Sequence, residues 1–382
     1  MSRDLWVIGF ALFTWGIGEG MFTFFQPLYL QQLGADPVRI GAIMGALSIA
    51  MASAHIPAGY LADRFGRRPV IWASWLIGLL AAWIMALAKS LPVFVIGLLI
   101  YGVTFFINSP LNSYITVARG KMSVGRAITL ISGFFSTGAM LGPLAGGWIG
   151  DHFGLQRAYL SGAILFVVSN LIIFFLRPQP VDQPHPEEKS RGLVINRSMI
   201  TFMGIVFLAV LATNLPQPLS PNYLQNQHHL TFGQIGQLGA ISNLGVIILN
   251  LTLGQVEART GFLLAQAAVG VFALLLWQGH GLPWFALGYF LMGGFRTVRA
   301  LAVAQTRQLV TQSRLGLAYG VIETVGTSAM ILSALLAGFL YKQNPTLMYT
   351  VSIGLVVLSI LVSANFSPAR VVKPTIIQNK GG

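Results

Sequence analysis

The chain has 382 residues, 55% of them hydrophobic and 9% charged, with a formal net charge of +13. A composition this apolar excludes an ordinary soluble protein. The basic residues are scattered over many short polar segments rather than gathered on one face, which argues against nucleic acid as a partner. The absence of cysteine excludes disulfides, thiolate metal sites and cysteine nucleophiles, and no metal site or cofactor is predicted.

Apolar runs of about twenty or more residues recur along the whole sequence, and each is long enough to cross a bilayer as a helix. No run alternates strictly between polar and apolar residues, so membrane strands are excluded. We therefore predict an all-α integral membrane protein that spans the lipid bilayer twelve times. The predicted spans lie near residues 5–33, 38–63, 69–88, 91–118, 127–150, 158–177, 198–226, 233–257, 262–280, 283–309, 316–341 and 345–365.

The lysines and arginines predict the orientation of these spans. With a cytoplasmic N-terminus, most of them fall on inner segments, and only Arg39, Lys89, Arg157 and Lys342 fall on outer ones. The positive-inside rule then places both termini in the cytoplasm. The first apolar run is too long for a signal peptide, which predicts a retained span. These features predict a multi-pass protein of the cytoplasmic (inner) membrane.

The first predicted span carries Glu19 near its middle, flanked by Gly16, Gly18 and Gly20. A charged side chain at the centre of a bilayer costs at least about 2.5 to 3.5 kcal/mol on insertion scales, so its presence needs a reason. Glu19 is therefore predicted to carry protons and to contact the substrate. The alternative is a glutamate that is permanently paired and braces two helices. Gln26, further along this span, is predicted to face the same central space.

A charged turn follows the second predicted span. Its residues fit the pattern Gly-x-Leu-x-Asp-Arg-x-Gly-Arg-Arg, and the matching positions are Gly59, Leu61, Asp63, Arg64, Gly66, Arg67 and Arg68. This pattern is the signature of the major facilitator superfamily, and the chain resembles that family. The alternative is a simple polar turn that its arginines hold on the cytoplasmic side.

The resemblance covers nearly the whole chain and implies two pseudo-symmetric six-helix bundles. It implies a substrate site near the bilayer midplane between the bundles, lined by the first, fourth, seventh and tenth helices. It also implies alternating access by rocking of the bundles, with the charged turn as a conformational gate. In that role Asp63 would face the N-terminal end of the eleventh helix, near Gly316, when the outside is open.

The fourth predicted span carries Asn108 and Asn112, which are predicted to line the cavity. Leu98, on the same span, stands where proton-coupled drug exporters usually carry an arginine. If the chain is such an exporter, its proton-coupling network therefore differs from the usual one.

The fifth predicted span contains Gly138, Gly142 and Pro143 in the pattern Gly-x-x-x-Gly-Pro-x-x-Gly-Gly. The pattern resembles the antiporter motif of proton-coupled drug exporters, so these residues are predicted to act in gating. The alternative is close helix packing alone, since glycines form a smooth strip and proline bends a helix.

Residues 178–197 form the only long polar stretch between predicted spans, and they predict a flexible cytoplasmic linker. This linker separates an N-terminal bundle, residues 1–177, from a C-terminal bundle, residues 198–365, and a cytoplasmic tail follows at 366–382. Short motifs of the first bundle recur in the second at a nearly constant offset, which indicates a duplication.

The seventh predicted span carries Asn214 and Gln217, which are predicted to line the cavity. Pro216, Pro218 and Pro221 surround them and predict an interrupted helix, because proline removes a backbone donor and frees a carbonyl.

Arg296 and Arg299 lie three residues apart in the tenth predicted span and so share one helical face. They are predicted either to bind an acidic group of the substrate or to pair with Glu323 of the eleventh span. In a third arrangement, one arginine pairs with Glu323 and the other binds the substrate. Glu323 is in addition a candidate for gating. Gln305, on the tenth span, is predicted to face the cavity.

Together these features predict a secondary active transporter that works by alternating access, with proton-coupled export of small amphipathic, drug-like compounds as the preferred function. The first alternative is transport of an acidic solute, organic acid or lipid bound by the central arginines. The second is a membrane sensor or scaffold without transport. No enzymatic activity is predicted. The expected partners are a small-molecule substrate and protons, and the chain is expected to be a monomer.

Overall fold

The computed structural model describes residues 1–179, 197–307, 309–310 and 315–366, while the side chains of residues 54–63, 109 and 315–316 lie outside the description. Helices are the only regular secondary structure within these ranges. In chain order they are α1 Arg3–Thr23, α2 Gln26–Gln32, α3 Pro37–Phe65, α4 Arg67–Leu87, α5 Leu91–Val103, α6 Asn108–Ala118, α7 Val124–Phe153, α8 Leu155–Ile173, α9 Arg197–Asn214, α10 Ser220–His228, α11 Phe232–Leu253, α12 Ala258–Gln278, α13 Leu282–Met292, α14 Gly294–Thr306, α15 Leu315–Gln343 and α16 Leu347–Phe366.

The predicted all-α membrane fold with twelve spans is confirmed. Ten segments of the described chain are helical, long and apolar enough to cross a membrane, with α5 and α6 counted as one. The helix α3 and the pair α13 and α14 supply the other two spans. The predicted boundaries 1–177, 178–197, 198–365 and 366–382 stay a prediction, because residues 180–196 and 367–382 lie outside the described residues.

Four of the twelve spans are each divided into two helices in the described chain. The first consists of α1 and α2, the fourth of α5 and α6 with a 3₁₀ turn at Thr104–Ile107, the seventh of α9 and α10, and the tenth of α13 and α14. The prolines of the seventh span predict its break correctly. The other three breaks are not predicted by the sequence analysis. All four lie in the helices that the family resemblance assigns to the cavity wall.

The first span is held in the N-terminal bundle by an aromatic core. Trp15 stacks on Phe166 of α8 with ring centroids 3.9 Å apart, and it also contacts Trp75 of α4 and Tyr101 of α5. These rings are buried or nearly so, and large aromatic side chains contribute strongly to core stability. The core fixes the face of α1 that carries Glu19.

The two bundles meet along the helix pairs α7 and α11, and α3 and α15, at their predicted outer ends. Glycines allow this approach. A Cβ atom on Gly236 of α11 would lie 2.2 Å from the carbonyl oxygen of Pro143, and one on Gly41 of α3 would lie 2.3 Å from that of Ala334. Any larger residue would therefore push the bundles apart.

Candidate substrate cavity

A cavity of about 320 Å³ lies between the bundles, where the broken first, seventh and tenth spans meet α3, α11 and α15. Its wall combines apolar and polar side chains with a single charged group among the residues that line it, Arg296. The lining residues are Thr23, Phe24, Pro27, Met44, Ser48, Asn214, Gln217, Pro218, Pro221, Ser242, Asn243, Val246, Tyr289, Met292, Phe295, Arg296, Met330 and Ala334.

Three amide side chains on this wall donate to protein groups. Asn214 Nδ2 donates to Ser333 Oγ at 2.6 Å, and Gln217 Nε2 donates to the Thr213 carbonyl at 2.6 Å. Asn243 Nδ2 of α11 donates to the Ala139 carbonyl of α7 at 2.8 Å, which is a bond between the bundles. These bonds orient each amide and leave its carbonyl oxygen and one N–H group for a ligand.

A smaller cavity of about 70 Å³ adjoins the first and is lined by both Glu19 and Arg296. Glu19 is half-buried, and its carboxylate lies near the Tyr101 hydroxyl and the Trp15 indole. Arg296 attracts it electrostatically from α14, although the two side chains form no direct ion pair in the described chain. A carboxylate of the N-terminal bundle thus faces a guanidinium of the C-terminal bundle.

The two central arginines differ in their surroundings. Arg299 forms an ion pair with Glu323 of α15 and also contacts the sulfur of Met330 at 3.5 Å. Arg296 lines both cavities and is exposed to them. The structure therefore pairs Arg299 with Glu323 and leaves Arg296 facing the cavities, while contact of Arg296 with a substrate stays a prediction.

Four predicted cavity residues lie elsewhere. Gln26 is buried, with an exposed fraction of 4%. Gln305 is fully buried between helices, and its Nε2 contacts the carbonyls of Ala258 and Leu301. Asn108 and Asn112 are exposed on α6, and neither lines the two cavities. Gln305 thus packs between helices, and contact of Gln26, Asn108 and Asn112 with a substrate stays a prediction.

Several cavity residues were missed from the sequence. Asn243 gives a detectable signal, because it is an amide inside an apolar run, but α11 was not expected to line the cavity. Tyr289 and the methionines Met44, Met292 and Met330 give no such sequence signal, since tyrosine and methionine are common in membrane helices. Among the described residues, no group of three His, Asp or Glu side chains is arranged to hold a metal ion.

The predicted outer end of the cavity is closed by a cluster of uncharged side chains, which we call the amide cluster: Gln31 of α2, Asn222 and Asn226 of α10, and Tyr341 of α15. Asn222 Nδ2 donates to Gln31 Oε1 at 2.6 Å. Gln31 and Asn226 exchange two bonds of 3.1 Å, and Asn226 also donates to the Tyr341 hydroxyl at 3.1 Å. The cluster joins the two bundles close to the cavity, since Gln31 lies one helical turn after Pro27 and Asn222 directly follows Pro221, which both line it.

The residues of the glycine pattern in α7 contact two neighbouring helices, α1 and α11. A Cβ atom on Gly138 or Gly142 would lie 2.2 or 2.4 Å from carbonyl oxygens of α1, so these residues pack within the N-terminal bundle. Pro143 and Gly147 contact α11 of the other bundle. The packing predicted for this pattern is present, and only part of it lies between the bundles.

Asp151, at the predicted outer end of α7, was not singled out from the sequence. Its carboxylate accepts the backbone N–H groups of Phe232 and Gly233 at 2.7 and 2.8 Å. These are the first residues of α11, whose N–H groups have no partner within the helix, and the positive end of the helix favours a carboxylate. Asp151 therefore ties the two bundles together at this end.

The charged turn after α3 is described in part. Gly66 has a φ of 84°, a conformation that glycine adopts without strain, and it separates α3 from α4. Arg67 donates to Gln179 at 3.3 Å, Arg68 lies 3.8 Å from the ring of Trp72, and Arg64 contacts Phe65. The description omits the side chains of residues 54–63, which include Gly59 and Asp63, and those of residues 315–316. The predicted latch therefore stays a prediction.

A family model described as "Major Facilitator Superfamily" matches residues 8–204 and again residues 202–380. The chain belongs to this superfamily. It is similar to the protein named multidrug resistance protein MdtG of Salmonella arizonae, with 26% identity over 311 residues, which covers 76% of this chain and 77% of that protein. The MdtG protein of Salmonella choleraesuis is 27% identical over 313 residues, with the same coverage.

Solved structures share the fold at low sequence identity. The chain resembles a variant of the nucleoside transporter NupG with a TM-score of 0.83 and 15% identity, covering 96% of this chain and 100% of that one. A bacterial homologue of the human lysosomal transporter Spinster, described as inward-facing and occupied, gives a TM-score of 0.72 and 13% identity, covering 95% of each chain. At this identity the similarity shows the fold alone.

Proposed function

We propose that this chain exports small amphipathic compounds across the cytoplasmic membrane by alternating access, in exchange for protons carried by Glu19. The observation that supports it best is the composition of the central cavity. Met44, Met292, Met330, Phe24 and Phe295 give it an adaptable apolar wall, and polar groups stand between them. Methionine is flexible and polarizable, so such a wall accommodates varied apolar shapes.

The relatives support the export direction. They are named multidrug resistance proteins, and the match covers about three quarters of both chains. A resistance function requires that compounds leave the cell, so we assign the same direction to this chain.

Glu19 is the proposed proton carrier because of where it lies. Protonation removes its negative charge and with it the attraction to Arg296. Since Glu19 belongs to α1 and Arg296 to α14, a proton on Glu19 weakens an attraction between the two bundles. A ligand or proton that interacts differently with two conformations shifts their populations, so this change alters the balance between inward-open and outward-open forms.

The described contacts agree with an arrangement closed at the predicted outer end. The amide cluster, Asp151 and the glycine contacts of α7 with α11 all lie at that end. For export, these contacts have to separate after a compound has entered from the cytoplasm. We propose that they form the outer gate, and that Gly138, Gly142 and Pro143 support it by setting the distance between α1, α7 and α11.

The test is driven transport by the purified chain in liposomes with an imposed pH gradient, assayed with a panel of neutral, anionic and cationic fluorescent amphipaths. We expect at least one panel member to be exported by the wild-type protein. Glu19→Gln should abolish export driven by the gradient while it leaves passive exchange of labelled for unlabelled compound intact.

Glu257→Gln is the matched control, because Glu257 is an exposed carboxylate at the start of α12, away from both cavities. This variant should export as the wild type does. Driven export that survives in Glu19→Gln would exclude Glu19 as the proton carrier, and no flux of any panel member by the wild type would contradict export of amphipaths.

A further inference from the structure

Tyr289 is the one buried side chain of the central cavity wall whose polar atom has no partner among the described residues. It is 1% exposed, it lines the cavity, and its hydroxyl lies near the Ser220 hydroxyl but has no hydrogen-bond partner within 3.5 Å among the described residues. The neighbouring Ser220 hydroxyl donates to the Pro216 carbonyl and accepts from the Tyr349 hydroxyl at 3.3 Å. Buried hydroxyls nearly always have a partner, so an unused donor on a cavity wall points to a ligand group.

Arg296 is the second hydrogen-bond donor of the tenth span, and it lines the same cavity as Tyr289. The two residues are seven apart on either side of the break at Gly293, where α13 ends and α14 begins. The break interrupts the regular helical spacing, but both side chains line the same cavity. The tenth span therefore presents a neutral and a charged donor to one ligand.

The rest of the cavity wall does not offset this positive charge. No carboxylate is among the residues that line the central cavity, and Glu19 lines the smaller one. A ligand cation placed in the central cavity would face Arg296 with no carboxylate on the same wall, since Glu19 lies in the adjoining cavity. Like charges in a partly apolar environment repel strongly, which disfavours amphipathic cations.

We infer that the central cavity selects amphipathic compounds that carry an oxygen acceptor, as a carboxylate or as a neutral carbonyl, and that Tyr289 and Arg296 hold this acceptor. This assignment rests on the proposed export function for its biological meaning, and it concerns the same cavity. Tyr289 acts on both kinds of acceptor, whereas Arg296 acts mainly on the carboxylate. The apolar body of the compound packs against the methionines and phenylalanines.

Three probes with one apolar body test the assignment: 3-(2-naphthyl)propionate, its primary amide, and 3-(2-naphthyl)propylamine. Dissociation constants are measured by thermal-shift titration of the purified full chain in detergent. The wild type should bind the carboxylate and the amide at least about tenfold more tightly than the amine, the difference expected from one good hydrogen bond or one unfavourable charge.

Tyr289→Phe should weaken binding of the carboxylate and the amide by about tenfold each. Arg296→Gln should weaken the carboxylate by about tenfold or more and the amide less, because bonds to charged partners are stronger. Two controls match these changes. Tyr159→Phe removes another buried, unpartnered hydroxyl that does not line the cavity, and Arg299→Gln removes the arginine that is paired with Glu323.

Tight binding of the amine, or no binding of either acceptor-bearing probe by the wild type, would overturn the assignment. So would a Tyr289→Phe variant that binds no worse than Tyr159→Phe. These outcomes are separate from the fate of the proposed function. If the probes bind as expected and liposomes show no driven export, the cavity chemistry stands and the export function fails.

Discussion

The closed outer end and the central cavity use different interactions to join the same two bundles. At the outer end, uncharged amides, close backbone contacts and one carboxylate on a helix terminus hold the bundles together. At the cavity, the bundles face each other through Glu19 and Arg296, which attract without a direct ion pair. Under the proposed function, the outer end closes the path through the protein and the centre responds to ligands and protons.

The largest expected effect comes from breaking the close backbone contact between α7 and α1 inside the N-terminal bundle. Gly138→Ala places a Cβ atom 2.2 Å from the Phe13 carbonyl oxygen, whereas Gly133→Ala, on the same helix, places one where nothing lies within 4 Å. Overpacking costs about 1–3 kcal/mol, so Gly138→Ala should lower the free energy of unfolding by that amount. Thermal denaturation in detergent measures it. Equal melting temperatures for the two variants would contradict the packing described for α7 and α1.

A smaller effect is expected from Asp151, which holds the start of α11. Asp151→Asn removes the charge that interacts with the helix terminus, and we expect a shift of about 1 kcal/mol toward outward-open forms. Because the chain has no cysteine, spin labels can be placed at Lys89 and Gln343 on the outer sides of the two bundles. The distance distribution should gain a longer population in the variant. An unchanged distribution would show that Asp151 does not contribute to closure.

The amide cluster should give a similar or smaller shift. Gln31→Ala removes bonds to Asn222 and Asn226, each worth roughly 0.5–1.5 kcal/mol net, and exposure to water reduces that value. The same pair of spin labels reports the change. Gln227→Ala, next to Asn226 and exposed, is the control and should leave the distances as they are. A larger shift in the control than in Gln31→Ala would contradict the role of the cluster.

The smallest effect concerns acid pH at the outer end of α3. Asp36 accepts the backbone N–H of Arg39, which together with nearby Lys342 lowers the pKa of its carboxyl below the ordinary 3.8. A lowered pKa means that this stabilisation is present above pH 3.8 and is lost as the pH falls through the folded value. Melting temperatures below pH 4 should therefore fall slightly more for the wild type than for Asp36→Asn. An identical pH dependence would exclude this contribution.

The sequence predicts much of the fold because length and hydropathy alone decide whether a helix can cross a bilayer. It also predicts the break of the seventh span, since Pro216 and Pro218 cannot continue a helix. The break at Gly293 is different. It accompanies close packing on α11, where a Cβ atom on Gly293 would lie 2.3 Å from the Val246 nitrogen. That contact depends on which helices become neighbours, and spacing along the chain does not contain this information.

In the candidate site, too, some features could be predicted from the sequence and others depend on which helices become neighbours. Glu19 and Arg296 could be found because a charge inside an apolar run is costly and therefore conspicuous. Which of Arg296 and Arg299 pairs with Glu323 could not be predicted, because both arginines share one helical face and only the position of α15 decides the pairing. Gln305 shows the converse, since an intramembrane amide can satisfy itself on backbone carbonyls without facing a ligand.

The most direct test of the account is the direction of proton movement during transport. Liposomes containing the purified chain and a trapped pH-sensitive dye are given an outward or inward gradient of a transported amphipath, without an imposed pH gradient. Exchange through Glu19 predicts proton movement opposite to the compound in the wild type and in Glu257→Gln, and none in Glu19→Gln. Protons that move with the compound, or proton movement that persists in Glu19→Gln, would contradict it.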